Sequence, residues 1–232
     1  MEHKDILARA ANVADSAEIY STRSQSIRVG FENNFIKESS SSDLSATGVR
    51  VIKDGRIGFS SSSKPGDGSI ADMAADLSQF GKPVKFAFPG PGTVQHLPPD
   101  SAGSPPSESD AVSTCEGAVD SLRSLGDGIM AFSGISSHEV TGKLLNTAGF
   151  EGEQSHSRIS SYCGLVQNKE GNFLQLFESK VSRSFGGFGP MISKVSEDYR
   201  LCATNEKLKT RKYRVLFTPR GFSHLLGVFS AC

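Results

Sequence analysis

Val49-Arg50-Val51-Ile52-Lys53-Asp54-Gly55-Arg56-Ile57-Gly58-Phe59-Ser60 decides how this chain folds. Val49 and Val51 alternate with Arg50 before the Asp54-Gly55 pair, and Ile57 and Phe59 alternate with Arg56 and Gly58 after it. Alternation marks a half-buried strand. An Asp-Gly pair between two such runs sets a two-residue type I′ turn, because both central positions need positive φ. The stretch is a β-hairpin, and its neighbours are arranged to pair with it or cover it.

Working back towards the N-terminus, Ile27, Val29 and Phe31 alternate with Arg28, Gly30 and Glu32, and Ala17 to Thr22 reads as a strand entering the same sheet. Asn33-Asn34 tolerates left-handed turn conformations, so the chain doubles back there into Phe35 to Glu38. Ser39 to Asp43 reads as a polar strand end or loop. Four or five antiparallel strands result. Before them, Ile6, Leu7, Ala10, Ala11 and Ala14 form one apolar helix face. After them, Ser69 and Asp72 read as a capping box for a second helix with Ile70, Met73, Ala74 and Leu77 along one stripe. Two helices flanking a meander can share one face of the sheet.

From Gly81 to Pro106, seven prolines interrupt a Gly- and Ser-rich stretch, the composition of a linker or extended arm. Beyond it, Ser107 and Asp110 cap a helix lined by Val112, Cys115, Val119 and Leu122. Strand-like runs follow over 129–136, 140–145, 150–155, 159–167 and 173–182, with turns at 146–149 and 168–171. Phe185 to Pro190 breaks the pattern, and a helix covers 193–203. Lys212 to Phe217 reads as a strand, and Thr218-Pro219 opens an apolar helix carrying Phe222, Leu225, Leu226 and Phe229. The expected fold class is α+β: two antiparallel-sheet units, each flanked by helices, then the truncated start of a third domain. The expected boundaries are an N-terminal domain over 1–82, a linker over 83–106, a middle domain over 107–210, and a cut-off C-terminal domain over 211–232.

Bulk properties narrow the function. Lys plus Arg is 25 and Asp plus Glu is 25, so no net charge draws the chain to nucleic acid or acidic lipid. No apolar run approaches the ~18 residues of a membrane helix, and the N-terminus has no signal-peptide core. Cys115, Cys163, Cys202 and Cys232 contain no Cys-x-x-Cys pair. That usage fits buried or free thiols in a reducing cytoplasm.

The motifs give no catalytic centre. His138-Glu139 starts like a zinc-protease helix, but positions 142 and 143 are Gly and Lys where a second His would stand, and the segment is β-like. It reads as a polar strand edge. Gly66-Asp67-Gly68 and Gly126-Asp127-Gly128 fit the loose dinucleotide pattern in the wrong context and read as loops and caps. Lys207, Lys209, Arg211, Lys212 and Arg214 read as a solvated strap, and Phe185 to Pro190 as a structural corner. The histidines at 3, 96, 138, 156 and 224 hold no pair at helical ligand spacing. Sheet pairing could still bring His138 near His156. There is no G-x-S-x-G elbow. The expected site residues are therefore none: no catalytic, cofactor-binding or metal-binding side chain is assigned.

Ala17-Glu18-Ile19-Tyr20, the Ile27 to Glu32 strand and the Gly48 to Ser60 block resemble the N-terminal domain of the TldD/PmbA proteins. Asn146-Thr147-Ala148-Gly149 resembles the Asn-Ser-x-Gly turn of their middle domain, and Tyr213 to Pro219 the entry to their C-terminal domain. The wording of the Gly48 block is PmbA-like (TldE-type). The resemblance implies cytosolic peptide processing by a metalloprotease-related subunit, also described as a modulator of DNA gyrase. It implies a homologous subunit as partner, in a homo- or heterodimer, and a peptide as substrate. The family's zinc would sit on a His-Glu-x-x-x-His helix in the third domain of a TldD-type partner. No position here matches that motif, so this chain would form substrate-channel and partner-binding walls. The competing reading is a free-standing peptide- or protein-binding α+β module with no proteolytic role.

Overall fold

The structure is a computed structural model that describes residues 2–92, 106–169, 171–202 and 209–230, with the backbone alone at 220, 224, 225 and 230. Two compact units result, one running to Arg200 and one from Leu201.

The larger unit holds α1 (His3–Val13), β1 (Ser16–Glu32), β2 (Phe35–Lys53), β3 (Arg56–Ser62), α2 (Ser69–Leu77), a 3-10 turn (Ser78–Phe80), α3 (Glu108–Arg123), β4 (Ile129–Asn146), β5 (Glu151–Lys169), β6 (Asn172–Ser182) and α4 (Gly189–Leu201). The Asp54-Gly55 hairpin forms as expected, with φ of 51° and 69° at its two turn residues. Asn33 and Asn34 turn the chain in the same way, with φ of 52° and 70°. The Ser39 to Asp43 run is neither strand end nor loop. It is the middle of β2, paired residue for residue with β1 from Gln25 to Val29, because a ladder bonds main-chain groups and is indifferent to serine side chains.

The two expected sheets are one. All six strands are antiparallel in the order β3-β2-β1-β4-β5-β6. The joint is β1 against β4, from Glu18–Asn146 to Phe31–Ser133. Each turn also grips the other half. Asn34 receives the Ala131 N–H on Oδ1 at 2.7 Å, while Thr147 donates its N–H to the Ala17 carbonyl at 2.9 Å.

Alternation divides the faces. Odd-numbered residues of β1, β2, β4 and β5 carry the core and lie under the helices. Ile19, Val49 and Val51 pack with Ile6, Ala10, Ile70 and Ala74 of α1 and α2. At the other end, Val29, Phe31, Ala131, Ile135, Cys163 and Leu165 pack with α3 and α4. A long β1 thus serves two separate cores, with the exposed Arg23 and Gln25 between them. Glycine lets α2 approach: a Cβ on Gly58 would collide with the Ala74 carbonyl oxygen.

Local details differ from the sequence reading. Ser69 does not cap α2; Asp67 accepts both the Ser69 N–H (3.1 Å) and its hydroxyl (2.6 Å). Asp72 instead meets Arg9 of α1. Ser107 does cap α3, accepting the Asp110 N–H at 3.2 Å. Phe185 and Phe188 make an edge-to-face pair at 5.4 Å, with Phe188 buried, as a structural corner requires.

In the smaller unit, 212–218 is irregular instead of a strand, since no strand among the described residues lies beside it to complete a ladder. Helix α5 (Pro219–Ser230) follows, with Phe222, Leu226 and Phe229 exposed. Arg211 lies over the Tyr213 ring at 4.7 Å. Lys207 and His96 lie outside the described residues.

Candidate binding face

Within the larger unit, α1, α2, α3 and α4 all pack on one side of the sheet. Among the described residues of the larger unit the other side, carrying the even-numbered residues of β1, β2, β4 and β5, is open and holds five of the six exposed aromatics on strands: Tyr20, Phe59, Tyr162, Phe173 and Phe177. Several of these rings lie over glycines of neighbouring strands. Tyr20 covers Gly142, Phe59 covers Gly48 and Tyr162 covers Gly134. A glycine on a pleated face leaves a bare notch, and a ring from the next strand fills it, so the paired residue types fix where hollows remain.

Two hollows remain. One, of about 250 Å³, is bounded by Tyr20, Val140, Gly142, Leu144, Phe150 and His156. The other, of about 470 Å³, is bounded by Gly30, Glu32, Glu38, Met130, Phe132 and Tyr162. The rim charges of the second are already matched: Lys37 pairs with Glu32, and Arg28 lies 3.6 Å from Glu38.

One corner of the open face is covered. The segment expected as linker begins as a strap. Lys82 and Val84 hydrogen-bond the β3 hairpin through Ile57 and Gly55. Phe86 and Phe88 then lie 5.9 and 5.4 Å from the Arg50 guanidinium, which pairs with the nearly buried Glu18 on its other side. Among the described residues Arg50 Nε has no hydrogen-bond partner; its planar group is held by rings and a carboxylate instead. Asn146 ends the strap, donating from Nδ2 to the Pro89 carbonyl at 2.9 Å.

The sequence-derived candidates fall as follows. His138 and His156 do share the open face, on adjacent strands, with His138 opposite Arg158 and His156 opposite Val140. No third ligand joins them: among the described residues no group of three or more His, Cys, Asp or Glu could hold a metal ion. Glu139, next in sequence to His138, points to the other face. Cys115 on α3 and Cys163 on β5 are buried in the core between helix and sheet, and burial pushes their pKa values up to about 11 and about 12. Gly66 to Ser69 forms the entry to α2, and Gly126 to Gly128 the turn between α3 and β4. The hollows around Tyr20 and Tyr162 were not found from sequence. The available signal was an aromatic and a glycine at positions that pair across strands, readable only once the register is known.

The strand edges are also available. β3 pairs β2 only from Thr47 to Lys53, leaving Phe35 to Ala46 without an outer neighbour among the described strands. β6 pairs β5 only from Ile159 to Lys169, leaving Glu151 to Arg158 likewise.

Comparison with known proteins matches part of the chain to a family. Residues 17–79 match the model described as PmbA/TldA metallopeptidase domain 1. Among solved structures, TldE from Thermococcus kodakarensis is similar at a TM-score of 0.71 and 18% identity, over 85% of this chain and 47% of that one. A candidate DNA gyrase modulator from Thermotoga maritima is similar at 0.70 and 12%, over 84% and 47%. A second, from Bacteroides thetaiotaomicron, is similar at 0.69 and 14%, over 97% and 55%. The chain spans about half the length of these structures, and at such identities they speak to the fold alone. A comparison with curated proteins finds no match. The resemblance read from Ala17 to Ser60 and the domain matched over residues 17–79 coincide, so this segment is a first domain of the PmbA/TldD kind.

Proposed function

We propose that this chain acts in peptide processing as a partner- and substrate-binding wall of a TldD/PmbA-type assembly, beside a homologous subunit that supplies the zinc chemistry. The observation that carries this reading is the open sheet face with its two hollows and free edges, in a chain of a metallopeptidase-related family. The donor set favours a wall over a catalytic centre: among the described residues His138 and His156 have no third ligand beside them. An open edge offers main-chain N–H and C=O groups to an added strand, which gives affinity with little sequence preference.

The experiment is to purify the chain with and without a TldD-type subunit, measure bound metal, and assay a broad peptide mixture. The expected result is chelator-sensitive cleavage only with the partner present. Stoichiometric zinc and cleavage by this chain alone, lost in His138→Ala or His156→Ala, would overturn the proposal. The division at 83–106 into two domains is kept as a proposal about evolutionary units, since the two halves share one sheet but keep separate cores.

A further inference from the structure

The two hollows are equivalent positions of a doubled design. Each half runs helix, three strands, helix. The β1–β4 register pairs Ser26 with His138, Thr22 with Gly142 and Gly30 with Gly134. A half-turn about the Ser26–His138 pair therefore exchanges Gly30 with Gly142 and Thr22 with Gly134. The same rotation carries Tyr20, opposite Gly48, onto Phe132, opposite Gly164. It carries Glu38, opposite Gly30, onto Gln154, opposite Gly142. Gly30, Phe132 and Glu38 line one hollow, and Gly142, Tyr20 and Gln154 line the other.

Between the hollows the face carries one guanidinium, two imidazoles and a row of hydroxyls. His138, His156 and Arg158 stand there with Ser24, Ser26, Ser136 and Ser160 on the same side of the sheet. The rim carboxylates are already paired, Glu32 with Lys37, Glu38 with Arg28 and Glu153 with Lys143. Among the described residues no carboxylate forms an ion pair with Arg158, His138 or His156, so Arg158 leaves an uncompensated positive charge at the centre of the face.

We infer that the open face docks an acidic amphipathic helix of a partner protein, its apolar ends in the two hollows and its carboxylates over His138, His156 and Arg158. The spacing suits a helix. Gly30 and Thr22 are about eight residues apart on β1, or about 26 Å, which a helix of about 17 residues spans. The chemistry of the face selects the same form. Strand N–H and C=O groups point along the sheet, so an extended segment laid on the face would leave its own amides unpaired, whereas a helix satisfies its own. Helix on sheet is also how the opposite face is already covered. The inference rests on the partner-binding reading above, and a direct binding measurement separates it from any test of cleavage.

The probes are two fluorescein-labelled, alanine-based 18-residue peptides with leucines near both ends, one with glutamates in the middle and one with lysines. Fluorescence anisotropy is read against the full chain at low and high salt, and peptide helicity by circular dichroism. The glutamate peptide is expected to bind at least tenfold more tightly than the lysine peptide, to gain helicity, and to weaken with salt. Arg158→Glu and Met130→Glu, both at exposed positions, are expected to weaken it at least tenfold with the thermal melt unchanged. Equal binding of both peptides, no binding of either, or no effect of Arg158→Glu would overturn the inference. A glutamate peptide with proline at its centre that binds as well as its parent would overturn the helix and leave an extended acidic segment in its place.

Discussion

Asn146 Nδ2 donates to the Pro89 carbonyl at 2.9 Å while its Oδ1 accepts the N–H groups of Ala148 and Phe150, both at 3.0 Å. One buried amide therefore closes the β4–β5 turn and pins the strap. Asn146→Ala removes all three bonds and is expected to cost about 2–3 kcal/mol in denaturant unfolding. Asn146→Asp keeps the acceptor and loses the donor. It should release only the strap, read as faster amide exchange at Val84 with the turn amides still protected.

Gly58 and Gly117 should respond oppositely to alanine. At Gly58 a methyl group meets the α2 backbone, which cannot yield as a flexible side chain could. Gly58→Ala is expected to cost about 3 kcal/mol. Gly117 sits inside α3 with open space around it, so Gly117→Ala should stabilise by about 0.5–1 kcal/mol. Paired thermal melts check both signs.

A cut in the Pro-rich segment should not separate the halves. β1 and β4 stay paired along most of their length, so a chain nicked once within residues 93–105 is expected to elute as one species in gel filtration. Two separable fragments under native conditions would contradict the single sheet.

The thiols give a pH-dependent test. Burial raises the Cys115 and Cys163 pKa values to about 11 and about 12, whereas Cys202 is exposed. At pH 8 a Cys202→Ser/Cys232→Ser variant should show no rapid thiol reaction until denatured. Above the ordinary thiol pKa of about 8.5, the unfolded chain ionises and the folded one does not. Stability should therefore fall as pH rises from about 8.5 towards 11, and a Cys115→Ala/Cys163→Ala variant should lose that slope.

Phe222, Leu226 and Phe229 of α5 stand in water. Burying one such side chain is worth about 1.5–3 kcal/mol, so together they favour association. Removal of residues 212–232 is expected to raise solubility, measured by light scattering; greater aggregation of the shorter chain would show α5 already packed.

The sequence by itself determined what depends on near neighbours. Asp54-Gly55 and Asn33-Asn34 set their turns because φ preference is local to a residue. Alternation from Ile27 to Phe31 assigned a buried face because side chains point out of a strand by turns. The apolar stripes of α1 and α3 followed from helical spacing. Tertiary structure decided what depends on pairing. β1 joins β4 through main-chain bonds that every sequence can make, so no residue type announced that two meanders would merge into one sheet. The Ser39 to Ser42 run became strand because β1 lay beside it. Pro83 to Gly92 looked like linker because proline-rich composition reports backbone stiffness, while the contacts that hold it, Arg50 with Phe86 and Phe88 and Asn146 with Pro89, join residues far apart in the chain. The hollows followed the register for the same reason: Tyr20 and Gly142 meet only when Thr22 and Gly142 are paired.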